Sequence, residues 1–539
     1  VLLKIVTSFA LVVTAVVGLA AQQKSVAVAA PAGFEISGTL VDSNTGQPIR
    51  RARVAVAPVT KRDNFTTMMT REDGRFSFAN LTPGKYTLTA QARGYLLQSF
   101  NQHDGFSSSI VVGPDLDSSN LLFHLAPEGA ISGVVTDEAG EPVRDAQVML
   151  YFTGLSAGID ATRPRGRTTS NDEGAYHFGH LPPGRYLVAV SARPWYAQHV
   201  TPQDGSMDGP PGQIAFDPQA ARQLDVAYPV TFSGGVTDAG AAVPTVLGRG
   251  DKAVADVSLQ PVPAVRIRLP ESVDFAKGGR VDLQKRVLDG PPVRVPMQFQ
   301  YNNQGPREIV GLAPGRYTLT TSGADLEKAQ SREIDVDGNG EIDNNQGNAY
   351  VPVSAKVQFD GGAPAGQATL QLLNKKSREG VSERIGSDGA VVFKQGVVPG
   401  SYEVSLFTGS GAYMKSITAA GASVTGRTIE IRPGTEVKLA ISALRGQGAI
   451  TGTALRGGKP WPGAMIVLVP TDPAHNQVLF RRDQSDSDGT FTLPNVVPGA
   501  YTLLAIENGW ELEWMKPEVL KNYMSGGAAV QVQPNGKYE

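Results

Sequence analysis

The sequence predicts an all-β chain, a tandem array of about five antiparallel β-sandwich domains, and three observations predict it. A Pro-Gly-x-Tyr phrase recurs five times, ending at Tyr86, Tyr186, Tyr317, Tyr402 and Tyr501, so the repeating unit is about one small domain long. Four of these phrases follow an acidic residue and a Gly, a pairing that closes tight turns. With 61 Gly and 37 Pro among 539 residues, the composition also calls for many turns joining short elements. A chain of this length exceeds what one hydrophobic core organises, so several domains are expected.

In chain order, the first element is an export signal. Lys4 precedes an uncharged run from Ile5 to Gln23, with Gly18 and Ala20 spaced as at a cleavage site. Residues 1–20 therefore read as a secretory signal peptide. An uncleaved membrane anchor is the alternative, because the run is nearly long enough to span a bilayer. Either way the bulk is expected outside the cytoplasm: in the periplasm, on the cell surface or in the medium.

Each repeat then follows one script. Opening strands are visible at Ile36 to Asp42, Ile131 to Asp137 and Ile450 to Leu455, and second strands at Ala52 to Ala57, Ala146 to Phe152 and Ala464 to Val469. Asp73-Gly74, Glu173-Gly174, Asp388-Gly389 and Asp488-Gly489 are turns, with Gln304-Gly305 in the corresponding place of the third repeat. After them Phe76 and Phe78, Tyr176 and Phe178, Val391 and Phe393, and Phe491 and Leu493 lie two apart and face one side of a strand. The Pro-Gly step predicts a type II turn. It delivers Tyr86, Leu88 and Ala90 to the core, and likewise Tyr186, Val188 and Val190, Tyr402, Val404 and Leu406, and Tyr501, Leu503 and Ala505. The domains are expected at 34–127, 128–262 with an insertion, 263–347, 348–445 and 446–539, the third and fourth divergent.

Two short helices are expected, at Asp217 to Leu224 and Pro517 to Met524. Residues 530–539 read as a hairpin whose second strand barely starts, leaving an exposed sheet edge. The linkers Leu125 to Gly129 and Gln260 to Pro263 are short and stiffened by Pro, which predicts an extended string of modules.

The run Ile36-Ser37-Gly38, Gly46-Gln47-Pro48, Asp73-Gly74-Arg75-Phe76-Ser77-Phe78, Leu81-Thr82-Pro83-Gly84-Lys85-Tyr86 resembles the carboxypeptidase regulatory-like domain of exported bacterial proteins. The second and fifth repeats resemble it too, and the third and fourth only around the Tyr. The resemblance implies an immunoglobulin- or transthyretin-like sandwich acting as an accessory, spacer or binding module.

Bulk chemistry excludes several functions. A net charge of -2 offers no electrostatic surplus for nucleic acid, and 0 Cys removes disulfides, thiolate metal sites and cysteine nucleophiles. None of the six His has Glu three positions on, as a zinc carboxypeptidase needs. His124 misses by one residue, and His177 and His180 are an odd number apart on a strand, which tends to set them on opposite faces. Gly154-Leu155-Ser156-Ala157-Gly158 matches a hydrolase elbow, but Pro164 and Gly166 follow where a helix should, so a hairpin loop is the preferred reading. Asp335, Asp337, Asn339 and Asp343 fit calcium-loop positions 1, 3, 5 and 9. Position 12 is Gln346 and a strand follows, so a plain turn is preferred there. Trp195, Tyr196, Trp510 and Trp514 lie just past the Tyr strands, where aromatics either stack on sugars or cap a core. No catalytic residue and no cofactor is assigned, calcium at the Asp335 loop being the alternative. The partner is expected to be a protein or polysaccharide of the cell envelope, and any membrane contact to run through the N-terminal segment alone.

Overall fold

A computed structural model describes residues 33–199, 223–269, 279–288, 293–294, 298–302, 305–322, 330–336, 340–341, 348–360, 367–409 and 411–539. The expected signal peptide and residues 217–222 of the first expected helix lie outside them. Among the described residues no helix is long and apolar enough to cross a membrane.

Among the described residues, five of the hydrophobic cores each lie between two sheets. In the first, Phe34–Asp42 pairs antiparallel with Arg75–Leu81 and parallel with Leu121–Leu125. Arg53–Pro58 and Gly84–Gln91 form the centre of the facing sheet. The same plan recurs: Gly129–Thr136 pairs parallel with Lys252–Val254, Val265–Arg268 with Gly340–Glu341, Val351–Phe359 with Val437–Arg445, and Gly448–Thr453 with Lys537–Tyr538. The alternating residues picked out by period are inside: Phe76, Phe78, Tyr176, Phe178, Val391, Phe393, Phe491 and Leu493 are all buried.

The acidic-Gly turns form as expected, with φ of +74°, +71°, +85° and +79° at Gly74, Gly174, Gly389 and Gly489. Asp73, Asp388 and Asp488 accept from the amides two residues on, and Asn171 does so in the second repeat. The residue at Gln304 lies outside the described set.

The Pro-Gly corner differs from expectation. Gly84, Gly184, Gly315, Gly400 and Gly499 have φ between +146° and +159°, far from the value near +80° of a type II turn, and each already begins the next strand. The left-handed residue comes six before each Tyr, at Asn80, His180, Gly311, Gly396 and Asn495, with φ of +54° to +75°. At each, the pairing with the opening strand shifts by a bulge. The bulge turns the chain toward the other sheet, where each Tyr hydroxyl donates to the carbonyl four residues back, at Thr82, Pro182, Ala313, Val398 and Val497.

Two further expectations are corrected in the fifth sandwich. Ala505 is exposed, whereas Leu504 and Ile506 are buried because the outer face of that sheet carries a second core. The helix Pro517–Met524, where the sequence placed it, covers that core with Leu520. Nor is the C-terminal segment a hairpin: Ala528–Val532 joins Gly499–Ile506 in one sheet, and Lys537–Tyr538 crosses to the other.

The modules do not form an extended string. The first packs against the fifth: Lys85 Nζ donates to Asp486 Oδ2 (2.6 Å), Ser109 N to Asp486 Oδ1 (2.7 Å), and Val111 N to Ser487 Oγ (2.8 Å). Proline stiffens a linker without fixing its exit angle, so complementary faces decide the arrangement.

Candidate functional site

The aromatic candidates divide between the surface and the joints. Trp514 is 3% exposed, its ring edge-on to Phe480 in the second core of the fifth sandwich. Trp510 is partly buried and stacks on His103 of the first sandwich, centroids 5.6 Å apart and planes 12° apart. Of the two readings offered by the sequence, Trp514 takes the cap of a core, its ring held among protein side chains, and Trp510 gives a face to His103. Trp195 is 88% exposed, with Tyr196 edge-on beside it. The Tyr196 hydroxyl donates to the Glu138 carboxylate, which also accepts from Tyr228 (2.8 Å). Burial alone would raise the Glu138 carboxyl, but these hydroxyls outweigh it and hold it below its ordinary value; burial and Glu138 together push Tyr196 up to about 12.

Ser156 ends the strand Gln147–Ser156 and pairs with Ile159 across a two-residue turn, Ala157 and Gly158, both with positive φ. The segment is a tight hairpin and no helix follows it, so the Ser is not presented as an elbow nucleophile. The tip is instead a wedge: Ala157 N donates to Asp104 Oδ2 (2.8 Å) and Met515 N to the Gly158 carbonyl (3.3 Å).

His177 and His180 are both exposed, not on opposite faces, because the bulge at His180 breaks the strand's alternation. His180 pairs with Glu128. Asp335 forms an ion pair with Arg316 (2.9 Å), while Asp337, Asn339 and Asp343 lie outside the described residues. Among the described residues no three His, Asp or Glu are grouped to hold a metal.

Joint-forming residues carry the densest chemistry. Arg482 pairs with Asp104 (3.0 Å), and its guanidinium lies 4.6, 5.5 and 4.9 Å from the rings of Phe106, Trp510 and Trp514. Between the second and third sandwiches, Asp225 receives His199 Nδ1 on one oxygen and Arg266 on the other, both at 2.7 Å. Burial would raise the Asp225 carboxyl, yet the two partners hold it below its usual value. Between the fourth and fifth, buried Glu403 accepts from Val478 N (2.8 Å). Apart from Trp510 and Trp514, sequence reasoning found none of these residues, since each pairs across a joint and no periodic signal marks it.

The family comparison falls on the first two of these sandwiches, at residues 35–116 and 130–214. Both match the carboxypeptidase regulatory-like domain. Between the two regulatory-like modules, Asn44 Nδ2 donates to the Arg249 carbonyl (2.8 Å), and the first of them supplies Lys85, His103 and Asp104 to the joint with the fifth sandwich.

No curated protein matches the sequence. Among solved structures, the Bacillus anthracis TIE protein is similar at 12% identity and TM-score 0.18, covering 94% of this chain and 73% of its own. GBS52, the minor pilin of Streptococcus agalactiae, is similar at 10% identity and TM-score 0.22, covering 43% and 97%. A streptococcal ancillary pilin is similar at 14% identity and TM-score 0.18, covering 57% and 98%.

Proposed function

We propose that this chain is a non-catalytic scaffold of the bacterial cell envelope, exported and folded as five units bounded near 127, 262, 347 and 445, which holds a binding surface for an envelope protein or polysaccharide. The observation that carries the reading is the set of joints. Arg482, His103, Asp104, the Ser156 hairpin and Asp225 are all spent on fixing one module against another. Polar groups engaged in this way give shape, not turnover. The match to regulatory-like modules agrees with an accessory role.

A second reading, carbohydrate recognition, is favoured by Trp195 alone, because a large exposed aromatic beside an edge-on Tyr is a ready stacking face. The test is retention of envelope polysaccharides and surface proteins by residues 21–539. Saturable capture of an intact component supports the scaffold. Hydrolysis of generic esters that disappears in Ser156→Ala would replace it with an enzyme.

A further inference from the structure

The joint between the second and third sandwiches encloses a cavity of about 50 Å³. Ser191, Arg193 and Tyr228 line it from the second, and Lys285, Gly311 and Tyr317 from the third. Lys285 ends the strand Arg280–Lys285, and its ammonium lies 5.3 Å from the centre of the Tyr317 ring. A Cβ at Gly315 would come within 3.1 Å of it, so that glycine leaves the room it occupies.

Burial pushes the Lys285 ammonium below the usual lysine range, and no carboxylate counters the shift. Arg193, on the other wall, is exposed to solvent, and the burial it does have lowers its guanidinium in the same direction as Lys285. The acids around the joint are already engaged: Asp225 by His199 and Arg266, Glu138 by Tyr196 and Tyr228. Two cations thus line one small cavity, and among the described residues neither has an anionic partner. Desolvated charge without a partner is costly, and an anion entering the cavity would offset that cost for Lys285, with the solvent-facing Arg193 adding a second positive charge.

Size and donor geometry narrow the class of anion. The cavity has space for a few waters, and so for a small anionic group such as a carboxylate. Arg offers a planar fork that matches a carboxylate, and Lys a point charge. Two residues beyond Arg193, Trp195 stands exposed as a face on which the rest of a ligand can lie.

We propose that the cavity between Arg193 and Lys285 is a carboxylate-binding site whose ligand is a sugar acid, the ring lying outside the cavity against Trp195. The ring rests on the carbohydrate reading above; the carboxylate contact stands on the cavity alone.

Calorimetric titration of the full chain at fixed ionic strength tests this, with galacturonate, an oligogalacturonate and neutral galactose as probes. Both acids should bind saturably, with galactose at least tenfold weaker. Lys285→Met should weaken both acids tenfold or more while its ligand-free melting curve keeps the parent's midpoint or rises. Arg193→Gln, at the more exposed wall, repeats the test without disturbing the buried position. Trp195→Ala should weaken the oligomer more than the monomer if the source is a polymer. Equal loss, or none, would overturn the ring's placement and leave a site for free acids. Silence with both acids, galactose binding as well as they do, or unchanged affinity in both cation variants would sink the site. A chain silent toward acids that still captures an envelope protein would leave the scaffold standing.

Discussion

At the scale of single residues, the position six before each corner Tyr decides how the chain passes from one sheet to the other. Asn80, His180, Gly311, Gly396 and Asn495 all hold left-handed backbone there. Asn tolerates that conformation and β-branched residues do not. Asn495→Gly should therefore leave stability nearly unchanged, whereas Asn495→Val should cost about 1–3 kcal/mol, read from urea denaturation. Tyr402→Phe removes the hydroxyl that donates to the Val398 carbonyl at 2.7 Å and should cost about 0.5–1.5 kcal/mol by the same measurement. The five Tyr were legible because a large ring after Pro-Gly stands out. The left-handed residue was not, because Asn, His and Gly share no spelling. His180 shows the consequence: it looked like a metal-ligand candidate, and its place is explained by backbone that His can adopt.

Strands and the joints between them follow different rules. The alternating pairs from Phe76 and Phe78 to Phe491 and Leu493 lie inside because period two alone sends them there. Leu504 and Ile506 broke the pattern because the outer face of their sheet is covered too, and cover by Trp514 and Leu520 from beyond the strand leaves no mark within it. Asp225 gives a joint a dependence on pH. Its folded carboxyl lies below the unfolded value, so its contribution is complete above the ordinary Asp range and is lost as pH falls through the folded value. Melting curves should show Asp225→Asn removing part of the parent's stability loss below about pH 4. An identical acid profile in the variant would show that His199 and Arg266 do not stabilise the charged form.

The whole molecule turns on the joint between its first and last sandwiches. Arg482 is the centre of that joint, its side chain 11% exposed among three rings and beside Asp104. Arg482→Ala together with Lys85→Ala should free the fifth sandwich from the first. Small-angle scattering should then report a larger maximum dimension, while circular dichroism stays that of folded sandwiches. An unchanged dimension would mean that the remaining bonds, from Ser109 and Val111 to Asp486 and Ser487 or from Val478 to Glu403, suffice to hold the arrangement. Fold class could be read from the sequence because it is written in local periods and turns. Closure of the array could not, since Asp104 and Arg482 are 378 residues apart and carry no motif.

The parallel pairing of opening and closing strands bears on how the protein meets mechanical force. When a module is drawn out by its two ends, strands paired in parallel slide along each other, and their hydrogen bonds share the load instead of parting one at a time. The registered stretch is seven residues long in the fourth sandwich and five in the first. Stretched between a fixed point and a moving one, the chain should yield at its first module before its fourth. Single-molecule pulling would record that order as a staircase of rising forces, and steps of equal height would show that strand register does not set the strength.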